Sequence, residues 1–124
     1  MNKILLSIKP KYVKRILEGS KKVEYRKVIP KCKDITHIII YASAPIRRVV
    51  AEVSISDILS DKPSILWEKT FSIGGISNDE YCAYFINRQV AHAFVIEDIN
   101  IFTPYRKLSD YGIKNPPQNF VYIK

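Results

Sequence analysis

The chain has 124 residues, room for one domain with its own core and not for two. Hydrophobic residues make up 47% and charged residues 26%, ordinary globular usage that excludes disorder as the default. Twenty Lys and Arg against twelve Asp and Glu leave a charge of +8, which favours a polyanionic partner such as RNA, DNA or an anionic membrane surface.

The chain starts with a short β-branched run, KILLSI, residues 3–8, that predicts a strand. Pro10 then suits the first turn of a helix, where its missing N–H costs no bond. From Pro10 to Glu18 the residues Tyr12, Val13, Ile16 and Leu17 share one helical face, and Gly19 is placed to end the helix. The period then becomes two. Val23 and Tyr25 alternate with Lys22, Glu24 and Arg26, so a strand follows with those three charges on one face. After Pro30 and a polar connection, THIIIYAS, residues 36–43, predicts a buried strand with no polar face.

Residues 47–58 alternate as a strand with Val49, Ala51, Val53 and Ile55 on its core side. Residues 63–70 read as a short helix starting at Pro63, and the paired Gly74 and Gly75 as a flexible or sharply bent loop. Ser77 and Glu80 form a capping-box pattern, so a further helix is expected from Asn78 to Asn87 with Tyr81, Tyr84 and Phe85 along its buried side. Residues 91–103 return to strand alternation, with a bulge or bend at Glu97 and Asp98. One helical turn within 107–112 and a last strand in QNFVYI complete the pass. Strands and helices in this order predict a small α+β domain on a curved sheet or partly open barrel.

Cys32 and Cys82 lie fifty residues apart without a CxxC pair, so no zinc ribbon or disulfide framework is indicated and both are expected reduced and partly buried. The first apolar run stops at Lys9 and Pro10, too soon for a signal peptide or a membrane span; a cytoplasmic protein without membrane association is the expectation. No Gly-rich phosphate loop, HExxH motif or Ser-His-Asp spacing occurs, and neither a cofactor nor a metal is expected.

The stretch SIKPKYVKRILEGSKKVEYRK, residues 7–27, resembles the N-terminal signature of ASCH domains, members of the PUA-like barrel superfamily. Lys9 and Pro10 precede the helix and Gly19 ends it. The family's G-x-K-x-x-E-x-R stands here as Gly19-Ser20-Lys21-Lys22-Val23-Glu24-Tyr25-Arg26. The likeness continues in family order through YASAPIRRVVAEVSISDI, GGISNDEYCAYF and PPQNFVYI. It implies a PUA-like curved sheet or partly open β-barrel of five to six strands with flanking helices. It also implies a cleft for RNA, nucleotides or modified bases, with RNA or a nucleotide-like ligand as the partner and a regulatory role in transcription or translation.

Within that resemblance Lys21 is either a phosphate contact or a buried lysine with a lowered pKa that moves protons. Arg26 offers a planar fork, and Glu24 accepts protons or orients Arg26 and Lys21. Lys9 and Lys22 add basic contacts, and Tyr41, Ser43 and Arg47 would bring a stacking ring, a hydroxyl and a phosphate clamp to the same cleft. Tyr41 as core and Arg47 as a solvated surface residue are the competing readings. Trp67 and the FSIGGIS loop read as a lid or as an anchor to the core, and His37 and His92 as hydrogen-bonded structural residues. Similar proteins include amidohydrolases of N4-acetylcytidine that use a lysine, a threonine and a glutamate. Lys21 matches the lysine, Glu24 stands where the threonine would be, and Glu68 or Glu80 lies in the region of the glutamate. Other family members are metal-dependent ribonucleases, a looser likeness for which the sequence offers no acidic metal cluster. RNA or nucleotide binding, hydrolysis by Lys21 and Glu24, and a protein interaction module are thus the three functional classes.

Overall fold

A computed structural model describes residues 2–32 and 34–123. Strand β1 (Asn2–Ile8) runs into helix α1 (Pro10–Glu18), whose N1 position is Pro10. Gly19 ends the helix at φ 86°, and the N–H groups of Ser20 and Lys21 both return to the Arg15 carbonyl. That reversal aims the chain into strand β2 (Val23–Arg26). Strands β3 (Ile35–Ala42) and β4 (Arg48–Asp61) follow, then helix α2 (Pro63–Thr70) with a 3-10 turn at Phe71–Ile73, and helix α3 (Asn78–Tyr84). Strand β5 (Ala91–Arg106), a 3-10 turn at Leu108–Tyr111 and strand β6 (Val121–Ile123) complete the order.

The strands form one mixed sheet in the order β2-β5-β4-β3-β1-β6, with β1 and β3 parallel and the other neighbours antiparallel. The sheet is not closed into a barrel, so of the two expected forms it takes the open, curved one. Three strands separate β2 from β1 in that order, yet the Arg26 guanidinium donates to the Ser7 carbonyl at 2.8 Å. The sheet therefore curls far enough for a β2 side chain to bridge the gap to β1.

Both sheet faces are covered. Ile38, Ile40 and Ala42 of β3 enter a core under α1 with Ile4, Leu6, Val13 and Ile16, while Ile39 and Tyr41 enter another with Leu5, Val49 and Phe102. Two buried faces explain why this strand has no polar alternation. Strand β5 divides likewise: Phe94 and Ile96 join the first core, and Ala91 and Ala93 join an aromatic cluster with Val23, Tyr25, Tyr81 and Phe85. The bulge at Glu97 and Asp98 is present, because Val53 pairs with Ile99 and Ile55 with Ile96, leaving one extra residue on β5.

Several expectations need correction. Helix α3 ends at Tyr84, short of Asn87, because Phe85 leaves helical geometry (φ −95°, ψ 14°) and Asn87 takes φ 61°. Strand β4 buries Val50 as well as Val49 and Ala51, since its pairing slips between Val49 and Ala51. Cys82 is exposed. Among the described residues no helix is long and apolar enough to cross a membrane.

Candidate functional site

Where the curled sheet brings β2 to the end of β1, a cleft of about 160 Å³ opens, lined by Lys9, Tyr12, Lys21, Glu24, Arg26 and Tyr84 together with Ser7, Ile76 and Glu80. Val23 and Tyr25 of β2 pack into the aromatic cluster, which leaves Glu24 and Arg26 facing the cleft. Arg26 bonds Glu24 through Nε at 3.1 Å and lies at 3.0 Å through its NH2 group, which also holds the Ser7 carbonyl. This two-point grip fixes both side chains.

Lys21 is only 2% exposed. Its ammonium donates to the Gly74 carbonyl at 2.9 Å, stands 3.9 Å from Glu24 Oε1, and lies 4.8 Å from the Tyr25 ring centroid and 5.4 Å from that of Tyr12. Burial lowers its pKa from the ordinary lysine value; Glu24 opposes this, while Arg15 and Arg26 add to it. The Tyr25 ring is held in turn: Thr70 donates to the Leu66 carbonyl, so the Tyr25 hydroxyl is the donor to Thr70 Oγ1 at 2.7 Å.

The other carboxylate, Glu80, closes the capping box of α3, accepting from the Ser77 N–H at 3.0 Å. It also accepts from Tyr12 at 3.2 Å and from Lys11 at 3.3 Å, and Arg15 stands 3.7 Å away. Its pKa falls to about 2, chiefly through the Ser77 backbone bond and then through Lys11, Tyr12 and Arg15, against a smaller cost of burial. One glutamate thus caps a helix and ties α1 to the cleft wall. Among the described residues no group of three or more His, Cys, Asp or Glu gathers as a metal site.

A family model described as "Domain of unknown function (DUF365)" matches residues 1–114. The chain belongs to this family. The DUF365 chain also superposes on crystal structures of the ASCH protein from Zymomonas mobilis. For one, the TM-score is 0.88 at 25% identity, covering 98% of this chain and 87% of that one; for a mutant of the same protein it is 0.89 at 24% identity, covering 100% and 91%. The resemblance to ASCH domains carried by residues 7–27 therefore holds across the fold. A Zymomonas mobilis protein named "ASCH domain-containing ribonuclease" is 27% identical over 126 residues, 97% of this chain and 83% of that protein. Two Ureaplasma parvum proteins match over 98% of this chain: a large ribosomal subunit protein uL22 at 28% identity and an ATP synthase subunit alpha at 26%. The chain spans only 39% and 15% of their lengths.

Of the residues singled out in the DUF365 sequence, Lys9, Lys21, Glu24 and Arg26 come together in the cleft. Lys22 is exposed and does not line it; its carbonyl accepts from the Ile96 N–H and its own N–H bonds the Ile73 carbonyl. Tyr41 is buried on the opposite face of β3, and Arg47 borders a separate groove there. Ser43 is half-buried outside the cleft, with its N–H on the Ile8 carbonyl. Glu68 is exposed on α2, so Glu80 is the glutamate that reaches the site.

The contacts of the glycine loop favour the anchor reading over the lid. The carbonyls of Ile73, Gly74 and Gly75 accept from Lys22, Lys21 and Arg15, and Trp67 packs against the Tyr81 ring at 4.7 Å, an anchor. The histidines are hydrogen-bonded through Nδ1, His37 to Thr36 and His92 to Ser60. Sequence reasoning missed Tyr12 and Tyr84 as cleft walls. It read Tyr84 as an ordinary core contact, and nothing in its periodicity distinguishes the two roles.

Proposed function

We propose that this protein binds single-stranded RNA or a nucleotide-like ligand, seating one base in the cleft. The observation that carries the reading is the buried Lys21 ammonium held beside the Glu24–Arg26 pair on the wall of an open cleft. About 160 Å³ is well below the ~300–1,000 Å³ of pockets for drug-sized ligands, and suits one planar ring better than a larger molecule. Donors from Lys21 and Arg26 and an acceptor from Glu24 match the mixed edge of a base, and Tyr12 and Tyr84 supply aromatic walls. A phosphate deep in the cleft would meet the Glu24 carboxylate, so it belongs at the rim with the exposed Lys9. The charge of +8 and the ribonuclease name of one relative agree with an RNA partner. A cytoplasmic setting and a part in transcription or translation control belong to the same proposal.

The test is binding of a short single-stranded RNA, followed by fluorescence anisotropy over a salt series. Affinity should fall as salt rises, because phosphate contacts release condensed counterions. Lys21→Met and Lys9→Ala should each weaken binding, the first by about tenfold or more, as expected for loss of a charged hydrogen bond. Unchanged affinity in both variants would reject the cleft as the seat.

A second reading, hydrolysis in the same cleft, is favoured by the lowered pKa of Lys21 and its 3.9 Å approach to Glu24, a pair suited to proton transfer. Incubation with RNA and with N4-acetylcytidine should then show turnover that disappears in Lys21→Met. Turnover that survives the substitution would place the chemistry elsewhere.

A further inference from the structure

Beyond the turn between β3 and β4, the backs of Arg47 and Arg48 give way to a groove of about 570 Å³ that they line with Lys107 and Lys114, and Tyr41 forms part of its buried wall. All four cations are exposed, and among the described residues none is in an ion pair. Asp110, on the adjoining 3-10 turn, accepts from the Lys107 N–H at 2.9 Å and does not line the groove. Among the described residues four cations line the groove and no carboxylate does, which leaves a local positive field that an anionic strand would relieve.

Ile46 immediately precedes Arg47 of the groove, and Tyr105 lies two residues before Lys107. Ile46 (40% exposed) and Tyr105 (47% exposed) border a depression against Pro10 and Lys11 of α1. Lys11 reaches on to Glu80 in the cleft, and the turn meets the cleft wall where the Ser43 N–H bonds the Ile8 carbonyl. Cations, an exposed ring with an aliphatic side chain, and a base-sized cleft are the kinds of contact that the phosphates and bases of a single strand take up. An acidic peptide would match the cations and leave the exposed ring and the cleft unexplained.

We infer that the Arg47, Arg48, Lys107 and Lys114 groove is a second binding site, for the phosphate backbone of a single-stranded RNA that runs from the cleft over Ile46 and Tyr105. This extends the proposed function and rests on its placing one base in the cleft.

The experiment titrates cytidine monophosphate and a single-stranded RNA of about ten nucleotides, within the ~4–16 nucleotide range of single-strand binding folds. The proteins are the wild type, an Arg48→Ala/Lys107→Ala/Lys114→Ala variant and Lys21→Met. The triple variant should keep its mononucleotide affinity and its circular dichroism spectrum, but bind the oligomer about tenfold or more weakly. Its slope of log affinity against log salt should be shallower by about 2, at ~0.7 per lost phosphate contact. Lys21→Met should weaken both ligands. Wild-type oligomer binding by the triple variant, with Lys21→Met still impaired, would overturn the groove and leave the cleft standing. Loss of neither ligand in Lys21→Met would overturn the cleft reading and the groove with it. Displacement of the oligomer from the groove by polyglutamate at equal charge concentration would assign the groove to acidic protein and overturn the inference.

Discussion

Lys21 combines two opposing demands, since a site that is 2% exposed penalises its charge while Glu24 and the Gly74 carbonyl favour it. Desolvation is the larger influence, which is why its pKa is lowered. Substituting Met keeps a long apolar stem against Gly75 and leaves the Arg26–Glu24 pair intact. Lys21→Met should therefore melt no lower than the wild type while losing ligand binding, a comparison that calorimetry and anisotropy make directly. Between the lowered folded pKa and 10.5 the unfolded chain holds more protons at this site than the native one, so wild-type stability gains as pH climbs through that window. The variant should lack this gain. Glu80 acts in the same pH direction, in the acid range. Its carboxyl is pulled from 4.5 to about 2, so its contribution is complete above pH 4.5 and disappears as pH falls toward 2. Urea unfolding should show Glu80→Gln less stable than wild type near neutral pH, with the difference vanishing near pH 2; a constant difference would contradict this assignment.

Among the elements, the glycine loop between α2 and α3 decides how firmly Lys21 is held. A Cβ on Gly75, which sits at φ 66°, would lie 2.5 Å from Lys21 Cβ and 2.8 Å from its Cα, and a Cβ on Gly74 would lie 2.5 Å from the Tyr25 hydroxyl. Gly19 also has a positive φ, but a Cβ there meets nothing within 4 Å. Gly19→Ala should cost about 1–2 kcal/mol from left-handed backbone strain alone and leave binding intact. Gly75→Ala should cost more in a denaturant titration and should also weaken ligand binding, because the clash displaces Lys21; equal costs with unchanged binding would refute the clamp. These elements differ in how far the sequence announces them. Helix α1 is legible from Pro10 to Glu18 because its apolar spacing, N1 proline and terminal glycine all agree. The capping box of α3 marks its start, but its end depends on Phe85 joining Tyr25 and Tyr81, a tertiary contact without local signature. The glycine pair reads locally as freedom, and only the opposing Lys21 and Tyr25 turn it into close packing.

Across the whole molecule, the ASCH signature foretold the open α+β sheet and the grouping of Lys21, Glu24 and Arg26, because those residues follow one another along a single turn and strand. The curl that brings Arg26 to the Ser7 carbonyl is a property of the sheet, and it sets the β1 end, with Lys9, beside those residues. The lack of polar alternation along β3 shows that two faces are buried, but not that Tyr41 takes the face away from the cleft. For that reason Arg47 and Tyr41, near the cleft in the sequence reading, belong to a different groove in the fold. The most direct test of the central claim is chemical-shift mapping of the isotope-labelled protein during titration with cytidine monophosphate. The account predicts that the largest saturable shifts fall on Lys9, Lys21, Glu24, Arg26 and Tyr84; shifts spread over the basic surface, or none at saturating ligand, would contradict it.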